Sequence, residues 1–495
     1  MILTSIPRWR HAVRRARMAL IAVLGACLCV VAGTTIALAA GHRATAGSWG
    51  TARRGPGASG FVQLLNFGSG FTLQDGLACP FPRDCTVFYR GPGRSTSRHQ
   101  PAFRTVSLIR GRWGRPREVP GLATIYYSFF GCARPGACLA AGARPEKARS
   151  QVDLAAAAIE VRGTWHAAIP VPGLAALGGN AGSAVTAEAC SRSDWCILAG
   201  YIRHKKVGDF LISERSGAWT KPHPVPGLIG SISCDPAGAC TAVGSRPNGL
   251  FAVSGTDGAW HAARPIAVPA ALQGAQLGAV SCTSASDCTA IGELGQEGVT
   301  APQVLAVTER HGSWGTLSVL PGTTGYHAIN GDLADTMVTS LSCTAPGQCV
   351  MTGYHASDSY GEYDNIDQAL PFIATQVNGA WQAARALPGL AALNRGGVAD
   401  IASASCASPG NCAVTGFYTL AGCNAQVCYE RPFVAAEIRG AWSRAQSVPG
   451  LAVQITGINA GAFISCSRAA GCVAVGSYKG RGGFPPTRLW ATFRG

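Results

Sequence analysis

Charge is scarce in this 495-residue chain. Only 13% of its residues are Asp, Glu, Lys or Arg, and five are lysine, against 47% that are hydrophobic. That balance excludes a disordered charged tail and leaves ample apolar material for a large core. Signatures of common chemistries are also missing: no Gly-x-Ser-x-Gly, no His-Glu-x-x-His, no phosphate-cradling glycine loop and no Asp-x-Asp-x-Asp-Gly calcium loop. No block of basic residues is interleaved with aromatics, so nucleic acid is not an expected partner.

The N-terminus carries five arginines, Arg8, Arg10, Arg14, Arg15 and Arg17, before an uncharged run from Met18 to Gly41. Ala37, Leu38 and Ala39 form an A-x-A cleavage site, so residues 1–40 read as a secretion signal. An uncleaved anchor is the alternative, because a run of this length spans the ~30 Å hydrocarbon core and would keep the arginines cytoplasmic. Either way the bulk of the chain is extracytoplasmic, secreted or membrane-anchored, and meets a membrane only through this segment. Outside it lie 36 basic and 25 acidic side chains, a formal charge of +11. That excess is either a solvated arginine-rich surface or an attraction for anionic wall polymers or lipids.

Cysteine supports export independently. Cys27 and Cys29 leave with the leader, and the other 18 pair without remainder. Eight pairs are six positions apart: Cys79 with Cys85, Cys132 with Cys138, Cys190 with Cys196, Cys234 with Cys240, Cys282 with Cys288, Cys343 with Cys349, Cys406 with Cys412 and Cys466 with Cys472. Cys423 with Cys428 makes a ninth. An even framework suits disulfides in an oxidising compartment, whereas zinc would want C-x2-C or C-x4-C sets backed by histidine.

First cysteines recur every 44 to 63 residues, the range of propeller blades. Each pair flanks a turn-rich loop such as "DPAGA" or "TAPGQ", between short strands of small and β-branched residues. A disulfide across the neck of such a hairpin joins facing positions and contributes about 2 kcal/mol by loop-entropy reasoning. A third strand follows, then a Gly-x-Trp marker opening a fourth that ends in "VPGL" or "LPGL"; the tryptophans are Trp113, Trp165, Trp219, Trp260, Trp314, Trp381 and Trp442. A Trp repeated at one spot is expected to be a packing wedge between adjacent sheets.

Four strands per repeat predict an all-β, eight-bladed β-propeller over residues 41–495, with one hairpin disulfide per blade. The last repeat ends at "TRLWATFRG" without its Gly-x-Trp strand, while an orphan Gly47-Ser48-Trp49 stands near the start. The N-terminal strand should therefore complete the last blade and close the ring. Seven blades plus an irregular module is the structural alternative, and a monomer is expected.

The Gly-x-Trp marker resembles the Asp-box turn of sialidase-like propellers, Ser/Thr-x-Asp-x-Gly-x-x-Trp. The copy "SGTDGAW", Ser254 to Trp260, sets Asp257 directly before Gly258 and is one residue short between Gly and Trp; the other copies lack the aspartate. The resemblance implies a propeller.

If the cysteine loop and the Gly-x-Trp turn share one face, the opposite face carries the variable loops, where binding surfaces tend to lie. "YHASDSYGEYDNIDQALP" in the sixth repeat offers Tyr354, Asp358, Tyr360, Glu362, Tyr363, Asp364 and Asp367, rings to stack on sugars and oxygens for hydroxyls or calcium. The seventh repeat adds a loop with Cys423 and Cys428, and the eighth the basic, aromatic "YKGRGGFPPTR". The expected function is non-catalytic binding of an extracellular glycan, wall polymer or protein. A glycan-cleaving hydrolase or lyase is the alternative, with inner carboxylates Asp75, Glu188, Asp332, Asp335 and Asp400, each near the entrance of a first strand. His166 and His261, just after repeat tryptophans, are expected to be exposed or structural.

Overall fold

The computed structural model describes residues 48–57, 76–81, 84–92, 101–110, 112–122, 128–146, 152–177, 182–203, 209–294, 303–324, 334–358, 366–420, 429–451, 455–456, 462–467, 471–479 and 487–494. The leader lies outside them. So do Cys423 and Cys428, the ninth pair expected from the sequence. Eight antiparallel sheets follow one another along the chain, each built outward from the cysteine hairpin. In blade 4 the order from the axis is Leu228–Cys234, Ala239–Arg246, Gly249–Thr256, and an outer strand split into Ala259–Trp260 and Arg264–Ile266. The eight first strands touch their neighbours in sequence, and Leu77–Phe81 of blade 1 touches Ala462–Ser467 of blade 8, so the ring is closed. Eight blades, not seven, result.

The N-terminal strand supplies the missing edge of blade 8. Arg53–Gly57 pairs antiparallel with Thr487–Arg494, Arg53 facing Ala491 and Arg54 facing Trp490.

All eight six-spaced cysteine pairs are disulfides, one to a blade. Cys79 bonds to Cys85, Cys132 to Cys138, Cys190 to Cys196 and Cys234 to Cys240 in the first four blades. Cys282 bonds to Cys288, Cys343 to Cys349, Cys406 to Cys412 and Cys466 to Cys472 in the last four. Their Cα atoms are 3.9 to 4.1 Å apart, as facing positions of a hairpin neck should be. Such a framework belongs to an oxidising, extracytoplasmic compartment. Among the described residues no helix is long and apolar enough to cross a membrane.

Eight hydrophobic clusters lie one at each junction between blades, and each repeat tryptophan sits in the cluster its blade shares with the preceding one. Trp49 follows the same rule between blades 7 and 8. Trp165 Nε1 donates to Thr105 Oγ1 of blade 1 at 3.0 Å, and Trp260 Nε1 to Ser213 Oγ of blade 3 at 3.2 Å. The wedge role is therefore literal.

Two belts of hydrogen bonds add to this packing. Near the axis, the serine before a blade's first cysteine accepts the backbone N–H of the next blade's first cysteine: Ser233 from Cys282, Ser281 from Cys343, Ser342 from Cys406 and Ser405 from Cys466, at 3.0, 3.0, 3.0 and 2.9 Å. At the rim, the proline carbonyl of "PG" accepts an outer-strand N–H from the next blade. Pro120 takes Ala168, Pro321 takes Ala384, Pro388 takes Ala445 and Pro449 takes Ala52, at 2.7 to 2.9 Å. "VPGL" is thus a rim clasp following the fourth strand, not the end of that strand. In these four clasps the glycine, Gly121, Gly322, Gly389 or Gly450, has positive φ, and in Gly322 a Cβ would lie 2.8 Å from Ala384 N.

The third-to-fourth strand turn holds two left-handed residues, as in Ser216 at φ 52° and Gly217 at φ 93°. That is a type I′ hairpin whose twist matches its strands, so glycine supplies half of the turn. Gly163, Gly379 and Gly440 of these turns donate to Gly136, Gly347 and Gly410 of the cysteine loops, which fixes both sets on one face.

Candidate functional site

Blade 6 departs from its neighbours at the opposite face. Its strands Ala334–Ala345, Gln348–Asp358 and Ile366–Val377 are the longest in the described chain. Pairing between the second and third runs from Cys349↔Gln376 out to Asp358↔Ile366, whereas blade 4 closes at Arg246↔Gly249. Counted from the second cysteine, the ladder is three residues longer, which at strand rise carries it about 10 Å further out. Of the sixth-repeat residues singled out above, Tyr354, Asp358 and Asp367 lie on these strands.

Tyr354 is half-buried, and its hydroxyl donates to Met337 Sδ at 3.0 Å. It therefore anchors the hairpin's base. Beside it His355 is buried, with Nδ1 2.8 Å from Thr336 Oγ1 and its ring stacked on Phe372 at 4.6 Å. Burial lowers its pKa to about 4, so the imidazole is neutral at physiological pH. Asp358 closes the ladder opposite Ile366, and the shift of register there bulges Asp367 out of it, setting the two aspartate backbones side by side. Tyr360, Glu362, Tyr363 and Asp364 lie outside the described residues. In blade 7 the Tyr418 hydroxyl meets Ser447 Oγ at 2.7 Å, so that tyrosine is structural.

Of the inner carboxylates, the two whose side chains are described, Glu188 and Asp400, do not converge. Asp75 and Asp332 are outside the described residues, and Asp335 is placed only by its backbone pairing with Ala356. Glu188 pairs with Leu198 next to the disulfide, at the exit of its strand and not, as the sequence suggested, at the entrance. Blade 2 leaves room for it there: a Cβ on Gly131 would fall 2.2 Å from Glu188 Oε1. Glu188 Oε1 lies 3.0 Å from Cys190 Sγ. Asp400 is at the entrance of blade 7, facing Phe417, with Oδ1 shielded and without a hydrogen-bond partner. Burial raises its pKa to about 6. The two acids belong to blades four apart in the ring and to opposite ends of their strands. Among the described residues the one His/Cys/Asp/Glu group with metal-ligand spacing is Glu188 with Cys190 and Cys196, whose sulfurs are tied up in a disulfide. His166 and His261 are exposed, as expected.

A carboxylate set that sequence reading missed lies in the blade junctions. In blade 3 the pairing row runs Cys190, Cys196, Glu214, Trp219 across the sheet. The residue facing the repeat tryptophan is Glu160 in blade 2, Glu214 in blade 3, Glu309 in blade 5 and Glu437 in blade 7, all buried, and Gln376 in blade 6. Burial raises the pKa of each of these glutamates, to about 7 for Glu309. An arginine from the preceding blade partly offsets it: Arg117 lies 3.4 Å from Glu160, and Arg264 and Arg385 attract Glu309 and Glu437. The signal was available as Glu three residues before the turn glycine. These side chains serve the junctions and do not line a cleft.

No protein family matches this sequence, and no curated protein matches it. Among solved structures it is similar to a polysaccharide lyase of family PL25, an ulvan lyase, at 10% identity and TM-score 0.45, covering 88% of this chain and 95% of that one. It is also similar to the β-propeller domain of the Trilobed protease from Pyrococcus furiosus, at 8% identity and TM-score 0.37 over 77% and 98% of the two chains. The GH93 α-L-arabinofuranosidase of Fusarium graminearum gives 10% identity and TM-score 0.32 over 63% and 93%. At such identities and TM-scores these likenesses assign no activity. What stands is the architecture itself: an eight-bladed, disulfide-stapled β-propeller closed by its N-terminal strand.

Proposed function

We propose that this propeller binds an extracellular glycan without cleaving it, on the face where blade 6 projects. The observation that carries the reading is the extended ladder out to Asp358↔Ile366, which reaches beyond the level of the blade 4 hairpin and whose two strands are joined in sequence by the segment with Tyr360, Glu362, Tyr363 and Asp364. In sequence the segment adds Tyr360 and Tyr363 to Asp358, Glu362, Asp364 and Asp367, rings suited to sugar faces and acceptors suited to hydroxyls. Calcium held by the same oxygens is a compatible part of the proposal. Separation of Glu188 from Asp400 supports binding over hydrolysis, since paired-carboxylate cleavage needs the two acids within roughly 5–10 Å. The test is co-sedimentation of the purified protein with insoluble polysaccharides and bacterial cell walls, with and without calcium. Selective retention that Tyr360→Ala with Tyr363→Ala abolishes is the expected result. Retention unchanged in the double variant would remove this arm from the site.

A further inference from the structure

Positive charge is not evenly spread around the disulfide-loop face. The first left-handed residue of the outer hairpin turn is Ser216, Asp257 or Asn378 in blades 3, 4 and 6, which suits that backbone. In blades 1 and 2 it is Arg110 at φ 50° and Arg162 at φ 51°, although a long side chain is disfavoured there. Blade 7 also carries Arg439 at this turn, two blades back from blade 1. The turn itself does not call for arginine. Arg112 follows the blade 1 turn, Arg192 stands in the disulfide loop of blade 3, and Arg215 ends that blade's third strand. With Arg110 and Arg162 they make five exposed arginines on adjacent blades. The Arg215 guanidinium lies 5.6 Å from the centre of the Trp195 ring, which the Cys190–Cys196 loop carries.

Carboxylates on this arc are already engaged. Asp84 Oδ1 accepts the Arg110 backbone N–H at 3.0 Å, and Asp194 Oδ1 accepts from Arg134 Nε at 2.7 Å. Among the described residues none of the five arginines forms an ion pair. In blades 4 to 7 the same turn position holds Asp257, His311, Asn378 and Arg439. We propose that the disulfide-loop face of blades 1 to 3 docks an anionic polysaccharide, a sugar polymer bearing carboxylate or sulfate groups. Guanidinium forks match the planar geometry of those anions. The arginines sit on two-residue turns, on the strand ends beside them or on a stapled loop, so little backbone freedom is lost when they engage. Ile109 is the one exposed large hydrophobic among the described residues on this face of the arc, which gives a bilayer little to insert.

This surface is at the opposite end of the blades from the arm of blade 6, and either can fail alone. The test applies the full exported chain to heparin, polygalacturonate and neutral dextran supports and elutes with salt. Wild-type protein should be retained on heparin, polygalacturonate or both and pass through dextran, the stronger support telling sulfate from carboxylate. Arg110→Asn with Arg162→Asn and Arg192→Gln should elute at lower salt and bind at least about tenfold more weakly, with a shallower dependence on salt. Its melting temperature should hold or rise, because asparagine suits the left-handed turn; if the triple variant does not fold, the three single replacements carry the test. Arg310→Gln with Arg439→Gln, off the arc, should elute with wild type. No retention of wild type, equal loss in both variants, or binding to phosphatidylglycerol vesicles without binding to either polysaccharide would overturn the proposal.

Discussion

Replacing Glu309 by glutamine asks whether the junction carboxylates are borne at a cost. Burial raises this group's pKa from 4.5 to about 7 in the folded chain, against the opposing pull of Arg264 and with repulsion from Asp287 adding to it. A carboxyl with a raised native pKa holds its proton more tightly when folded. Its contribution to stability is therefore complete below 4.5 and is lost as pH climbs through the interval up to 7. At pH 8 the ionised form costs roughly 3 kcal/mol relative to the unfolded chain, and at pH 5 less than about 1 kcal/mol. Glutamine removes the dependence and keeps the shape. Blade 6 already uses it, with Gln376 Nε2 donating to Thr308 Oγ1 at 3.0 Å and to the Gly379 carbonyl at 3.2 Å. Differential scanning calorimetry at pH 5 and pH 8 reads the difference; for a chain of this size each kcal/mol moves the midpoint by about 1–2 °C. Glu309→Gln should gain about 3 °C over wild type between the two pH values. Parallel pH profiles, or a variant less stable than wild type at pH 8, would refute the reasoning.

Two further outcomes follow from the ring. Trp49→Ala removes the wedge between blades 7 and 8 and should cost about 3–5 kcal/mol, visible as a lower denaturation midpoint and a protease-sensitive N-terminus. Gly353→Ala should destabilise by at least about 1–3 kcal/mol, since its Cβ would meet the Met337 carbonyl at 2.4 Å and the Phe372 ring at 2.7 Å; a neutral result in chemical denaturation would contradict that crowding.

Fold is legible in this sequence because its determinants repeat. Cysteines six apart, a tryptophan after each turn glycine and a truncated last repeat are local patterns, and they lead to eight blades, their staples and the closing strand. The serine before the first cysteine is equally visible, but its partner is a backbone N–H 49 to 64 residues later, a relation that spacing alone does not disclose. Read alone, "VPGL" suggests a strand end; its proline carbonyl reaches a neighbouring blade instead. Glu188 falls at the other end of its strand from the one expected because pairing register, not residue type, decides where a side chain lies along a sheet. Of the candidate site, the arm of blade 6 is legible as a loop, whereas its paired strands are not, since "YHASD" and "IDQALP" lack clear alternation.

Closure by the first strand also orders the assembly of the protein in time. Each staple joins a cysteine to the next one in the chain, six residues on, so a hairpin can oxidise as soon as it emerges and has no competing partner from a distant blade. The contacts that close the ring are the long-range ones: Leu77–Phe81 meets Ala462–Ser467, and the Thr492 hydroxyl donates to the Gly50 carbonyl, 442 residues away. Loop-closure entropy grows only logarithmically with such a distance, so the seam can form once both edges exist. Blade 8 alone must wait for the whole polypeptide, its first-made strand held back until the last one arrives.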